Sequence, residues 1–157
     1  MQTARKFQDL VAWQLCTELR DLVLALTDSG RCLSDFDFRD HIGRAAKSAP
    51  RLISEGFLRY TPEEFVRYLR MARAEIGEIQ NELEYERTRK YFTEEQSAKA
   101  RDLATRAMVV TTRLLASKLP LLKERQASRR SPPGARETPK GAKTGESPRA
   151  RKAPKAR

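Results

Sequence analysis

Three sets of side chains in this sequence have types and spacings that could do chemistry. They are a single histidine, a run of glutamates at helical spacing, and several lines of lysine and arginine. His41 lacks the cluster of cysteine or carboxylate partners that a metal site needs at ligand spacing, so it reads as a structural or solvent-exposed imidazole. Glu78, Glu82 and Glu86 recur every four residues and could suggest carboxylate ligation. Helical bundles that bind metal pairs use Glu-x-x-His motifs projecting inward from facing helices, and none occurs here. A glycine-rich loop able to cradle phosphate is absent too. The expectation is a non-enzymatic protein with no metal, no cofactor and no small-molecule substrate.

Positive charge is what remains. Lys99, Arg106 and Arg113 recur every seven residues and form a line on one helix, while Arg44, Lys47 and Arg51 form a second line on another. A single such line usually means a solvated face. The end of the chain tips the reading toward a polyanion. Residues 126–157 hold ten Lys and Arg against two Asp and Glu, most of the formal net charge of +11. Arg129, Arg130, Arg149, Arg151, Lys152, Lys155 and Arg157 form its clusters. Such an arm neutralises phosphates and gains affinity by counterion release without recognising bases. It has no aromatic residue to stack on them. Nucleic acid, RNA ahead of DNA, is the expected partner. A membrane surface fits less well, because no apolar anchor accompanies the charge.

The elements that must position these lines are helices. The first is expected from about Phe7 to Thr27, with Val11, Leu15, Leu19, Leu22 and Leu26 on one face and Gly30 ending it. Trp13 and Leu24 fall off that face, close to each other, and are the candidate contacts between subunits. Ser34 is read as the cap of a second helix carrying Phe38, Ile42, Ala45, Ala46, Ala49 and Ile53, kinked at Pro50. The third helix starts at a Thr61 cap with Pro62 in first position and glutamates behind it. Phe65, Leu69, Ala72, Ile76, Ile79 and Leu83 make its core stripe to about Arg87, with Glu75, Glu78 and Glu82 on one flank and Arg67, Arg70 and Arg73 opposite or on the other. Thr93 and Gln96 form a capping box for the fourth helix. Its stripe is Ala100, Leu103, Ala107, Val110 and Leu114, and Pro120 marks its end. All linkers are short, so the fold expected is all-α, an antiparallel up-down-up-down four-helix bundle.

The bundle is expected over residues 1–122 and a disordered basic tail over 123–157. Beyond residue 125 there is no Val, Ile, Leu, Met, Phe, Tyr or Trp, and five of the eight prolines lie there. Such a segment buries nothing that could offset the entropy of ordering it. Cys16 and Cys32 are too few for a disulfide framework and read as reduced thiols. No apolar run reaches the roughly 20 residues of a membrane span, and the first residues are polar, unlike a signal peptide. The expected location is the cytoplasm.

Two stretches carry a family resemblance. Phe7-Gln8-Asp9-Leu10-Val11-Ala12-Trp13-Gln14 resembles the F-x-D-L-x-x-W-Q opening of the small four-helix bundle protein family. The segment from Ile42 to Gly56 is similar to that family's I-x-R-A-A-x-S-x-P-x-x-I-x-E-G signature, and the likeness runs on through Arg59 and Glu64-Phe65-Val66-Arg67-Tyr68-Leu69. Leu52 stands where Asn is usual, Ser54 where Ala is usual, and Ala74-Glu75 where Gly-Ser is common. The family includes proteins encoded in intervening sequences of bacterial 23S rRNA genes and accessory variability proteins of diversity-generating retroelements. Resemblance to the latter implies a homopentameric barrel that works with a reverse transcriptase and its template RNA. Resemblance to the former implies an association with rRNA genes and no more, which leaves a protein-interaction scaffold as the alternative.

Overall fold

The computed structural model describes residues 4–59 and 61–130. A 3-10 turn over Phe7–Asp9 leads into α1 (Val11–Thr27), and a second over Gly30–Ser34 leads into α2 (Phe36–Leu58). The remaining helices are α3 (Pro62–Arg89) and α4 (Glu94–Arg130). Each helix packs on its neighbours in sequence, and α4 returns against α1, closing a four-membered ring around one core. Among the described residues there is no strand. Ser48 meets Glu75 while Glu55 meets Tyr68, the converging pairs that antiparallel helices produce. The all-α four-helix bundle expected from the sequence is the fold observed.

The ends of α3 and α4 form as their sequences direct. Thr61 Oγ1 accepts from the Glu64 N–H at 3.3 Å, and Pro62 occupies the first turn, where its missing N–H costs nothing. In α4 the two reciprocal bonds of the capping box are both present: Gln96 N–H to Thr93 Oγ1 at 3.2 Å and Thr93 N–H to Gln96 Oε1 at 2.9 Å. Every residue named for the α3 stripe is buried.

Four expectations need correction. The first concerns α1, which begins at Val11, because Phe7–Asp9 winds separately around the Asp9 carboxylate, acceptor for the Arg5 and Lys6 N–H groups. Its buried face is also rotated, to Ala12, Leu15, Cys16, Leu19, Val23 and Thr27, while Val11 is 55% exposed. The small residues Ala12 and Cys16 take buried positions on this face, and Leu22 and Leu26 pack half-buried beside it. Second, Asp35 and not Ser34 caps α2, accepting from the Phe38 N–H at 3.1 Å. Ser34 is consumed by the preceding 3-10 turn, which Gly30 opens with φ +81° after α1 has already ended at Thr27. Third, in α4 the buried positions after Leu103 are Ala104, Ala107, Thr111 and Leu115, with Val110 and Leu114 half-buried beside them.

Fourth, Pro120 does not end α4. The helix continues to Arg130, past the boundary placed at 122. Leu119 and Leu122 pack on the core either side of the proline, and Arg125 reaches Glu63 at 3.4 Å. That packing outweighs the one backbone bond the proline removes. α2 likewise runs through the buried Pro50 without interruption.

One end of the bundle is stitched by polar and aromatic contacts. Asp35 accepts from the Tyr91 hydroxyl at 2.6 Å and the Tyr85 hydroxyl at 3.2 Å, and Phe38 lies against the rings of Tyr85, Tyr91 and Phe92. The Tyr91 bond is the main reason the Asp35 carboxyl is held below its ordinary range, and the same bond pushes Tyr91 up to about 12. Beside this cluster Glu86, 1% exposed, accepts from the Phe92 N–H at 3.0 Å and from the Ser97 hydroxyl. Lys90 turns the chain there with a left-handed φ of 57°.

Candidate nucleic-acid interface

The family-like segments are mainly packing and capping devices. In the first, Phe7 stacks edge-on against Trp13 at 5.3 Å, Asp9 binds the preceding amides, and the Gln14 side chain donates to the Gln8 carbonyl at 2.8 Å. In the second, Ile42, Gly43, Ala45, Ala46, Ala49, Leu52 and Ile53 are buried, and small side chains let α2 lie close to α1 and α3. Gly56 is the tightest point: a Cβ there would stand 2.5 Å from the Cβ of Tyr68. Glu55 accepts from the Tyr68 hydroxyl at 2.8 Å and from Arg59 at 3.0 Å, and these bonds hold its carboxyl below the usual range. The guanidinium groups of Arg59 and Arg67 lie over the Tyr68 ring at 5.4 and 5.1 Å.

What the packing leaves outside is the charge. Arg44, Lys47 and Arg51 are all exposed along one face of α2, and Arg44 lies 3.4 Å from Asp40 one turn earlier. They rim a groove of 660 Å³ between α2 and α3 whose other wall carries Glu75 and Glu78, with exposed His41 at its edge. Glu75 Oε1 accepts from the Ser48 hydroxyl at 3.0 Å. The structure brings the three cations of α2 to one site and adds two carboxylates that a reading of separate helices does not place there. The short connection between α2 and α3 was a usable signal, since side chains equally distant from it on the two helices must meet.

The α4 line is the more open one. Lys99, Arg106 and Arg113 are exposed, and Arg106 lies 3.7 Å from Asp102. Lys99 also borders a shallow depression of 540 Å³ beside Trp13, Leu22 and Leu103. The two lines lie on different helices and do not merge into one patch. Trp13 and Leu24 are each half-buried within their own chain, Trp13 against Phe7 and Leu24 beside Gly43, so neither is wholly given to solvent. Arg129 and Arg130 close α4. Arg149, Arg151, Lys152, Lys155 and Arg157 lie outside the described residues, as does the expected tail from residue 131 on.

Among the described residues no group of three His, Cys, Asp or Glu side chains gathers as a metal site, and no helix is long and apolar enough to cross a membrane. Both cysteines are buried free thiols. Burial pushes Cys16 up to about 12, with the Thr111 hydroxyl a partial counterweight, so it is unreactive at neutral pH.

Fold and surface together define a small helical bundle whose signature residues build its interior and whose outer faces carry the charge. The family model of the 23S rRNA-intervening sequence protein matches residues 8–113, which takes in both signature segments apart from Phe7, and the chain belongs to that family. No curated protein matches it.

Proposed function

We propose that this protein is a non-enzymatic, self-associating accessory protein that binds nucleic acid, RNA in particular, through contacts to the phosphate backbone. One observation carries the reading. Two exposed cation lines on the bundle share the chain with residues 126–157, whose positive charge has almost no acidic counterweight. Binding of that kind follows counterion release and needs no catalytic group. Resemblance to the retroelement accessory proteins supports five subunits and a reverse transcriptase as partner. A ring would multiply weak contacts by raising their effective concentration. A protein-interaction scaffold is the second reading, favoured by the apolar depression beside Trp13.

RNA binding followed by fluorescence anisotropy from low to high salt tests the proposal. Log affinity should fall linearly with log salt, by roughly 0.7 per phosphate contact on a single strand. Ending the chain after Arg125 should flatten the slope, and replacing Lys99, Arg106 and Arg113 with Glu should remove most of the remainder. Absence of binding to RNA and DNA at low ionic strength would establish the scaffold reading instead. Light scattering coupled to size exclusion decides the assembly, a monomer mass at micromolar concentration being the refuting result.

A further inference from the structure

The groove between α2 and α3 carries two opposed chemistries. Arg44, Lys47 and Arg51 stand on one wall, and Glu75 and Glu78 stand one helical turn apart on the other. Ala45 and Ser48 contribute to the lining with side chains small enough to leave the opening of 660 Å³. The Ser48 hydroxyl holds one oxygen of Glu75 at 3.0 Å, which fixes that carboxylate across from the cations. A groove built for phosphate alone would not face its cations with two carboxylates, because they repel the same backbone. The two walls instead match the two sides of an unpaired nucleotide. One side is anionic, and the other is a base edge bearing hydrogen-bond donors.

We propose that this groove binds single-stranded nucleic acid with its phosphates along Arg44, Lys47 and Arg51 and its donor-bearing base edges on Glu75 and Glu78. The inference rests on the phosphate-binding reading and adds to it a strand preference and a base preference. From Arg44 to Arg51 the helix advances about 10 Å, at roughly 1.5 Å per residue. An open strand spaces its phosphates more widely than the roughly 3.4 Å axial rise of a duplex strand, and the long side chains of the three cations let each reach a phosphate. The α3 carboxylates accept from the N4 amino group of cytosine, as carboxylates do when they read that base. Uracil presents an oxygen at the same position, so acceptor would face acceptor. In an RNA duplex one N4 hydrogen is paired and the other faces a deep, narrow major groove that side chains do not enter, so the carboxylates reach it only when the strand is open.

The test uses the full chain with fluorescein-labelled twelve-nucleotide oligocytidylate and oligouridylate RNAs, which carry equal charge. The wild-type protein should favour oligocytidylate by about tenfold at one salt concentration, the scale of one good base contact. The double variant Glu75→Gln, Glu78→Gln should bring the ratio close to one, because an amide can both donate and accept. Changing Arg44, Lys47 and Arg51 together to Gln should weaken both oligomers and lower the salt slope by about 2, three contacts at roughly 0.7 each. Circular dichroism melting serves to check that the variants are folded. Equal wild-type affinity for the two oligomers overturns the inference while leaving the phosphate-binding reading in place. So does a preference that survives the double Gln variant. Equal affinity together with an unchanged slope in the α2 triple variant also overturns it and leaves the groove to a protein partner. Failure to bind either oligomer at low salt overturns both readings.

Discussion

Replacing Gly56 by alanine sets two opposed effects against each other, and the structure decides between them. In a helix the exchange ordinarily stabilises, by up to about 1 kcal/mol, because alanine loses less backbone entropy on folding. Here the added methyl would stand 2.5 Å from Tyr68 Cβ, 3.2 Å from its Cγ and 3.1 Å from a Phe65 ring carbon. Carbon atoms pack best at roughly 3.5–4.0 Å, so α3 would have to retreat by about 1 Å. Tyr68 cannot rotate out of the way, since its Cβ is bonded to the α3 backbone, and its hydroxyl is held by Glu55. Overpacking with no side-chain escape belongs at the upper end of the usual range, about 3 kcal/mol. The net expectation is a loss of about 2 kcal/mol, or a melting temperature lower by about 8 °C for a domain of this size. Gly77→Ala is the internal control, because a Cβ there meets only Met108 Cε, at 3.9 Å. It should be neutral or stabilise by up to about 1 kcal/mol. Urea unfolding of the two variants beside wild type measures both. If Gly56→Ala matches or exceeds wild type, the close approach of α2 and α3 is not what the signature glycine serves.

Other outcomes follow from the polar contacts and from α4. Glu86→Ala removes the acceptor of the Phe92 N–H and the Ser97 hydroxyl in a buried site, and should cost about 3 kcal/mol in urea unfolding. Asp35→Asn should be less stable than wild type near neutral pH. Because the folded-state pKa of Asp35 is lowered, its contribution is present above the ordinary carboxylate value and lost as pH falls through the folded one. The deficit should therefore shrink in strong acid, and a deficit independent of pH in thermal melts would refute a stabilising role for the ionised Asp35 carboxylate. Ending the chain after Arg130 should leave the melting temperature near wild type. Ending it after Lys118 removes the packing of Leu119 and Leu122 and the Arg125–Glu63 pair, and should cost about 2 kcal/mol.

Much of the fold was legible because α3 and α4 announce their starts with side chains that can only cap, Thr61 and Thr93, and because the α3 stripe is uninterrupted. α1 was harder. Its large leucines draw attention, yet the small Ala12 and Cys16 are buried on the true face, and periodicity weighted by size misplaces it. Pro120 carries a strong stop signal that tertiary packing overrides. Glu86 stood out only as one of three glutamates at four-residue spacing, since its partners come from the next turn and helix and do not exist until the bundle closes. At the candidate site the cations of α2 were visible as a line, but their carboxylate wall belongs to another helix. Pairing across the short α2–α3 connection was the missing step.

The unequal helix lengths make the two ends of the bundle breathe differently. α1 spans 17 residues and α4 spans 37, so about 30 Å of α4 extends beyond what α1 can accompany. From Ala116 onward no α4 residue with a described side chain is fully buried, whereas the opposite end is fastened by Asp35, Tyr91 and Glu86. Amide hydrogen exchange should therefore run as a gradient along the long axis, slow near the fastened end and fast over the last turns of α4. Opening would begin where the basic end of the chain departs. A ligand held by those charges would be felt first as slowed exchange in α4, with little change in the core behind it.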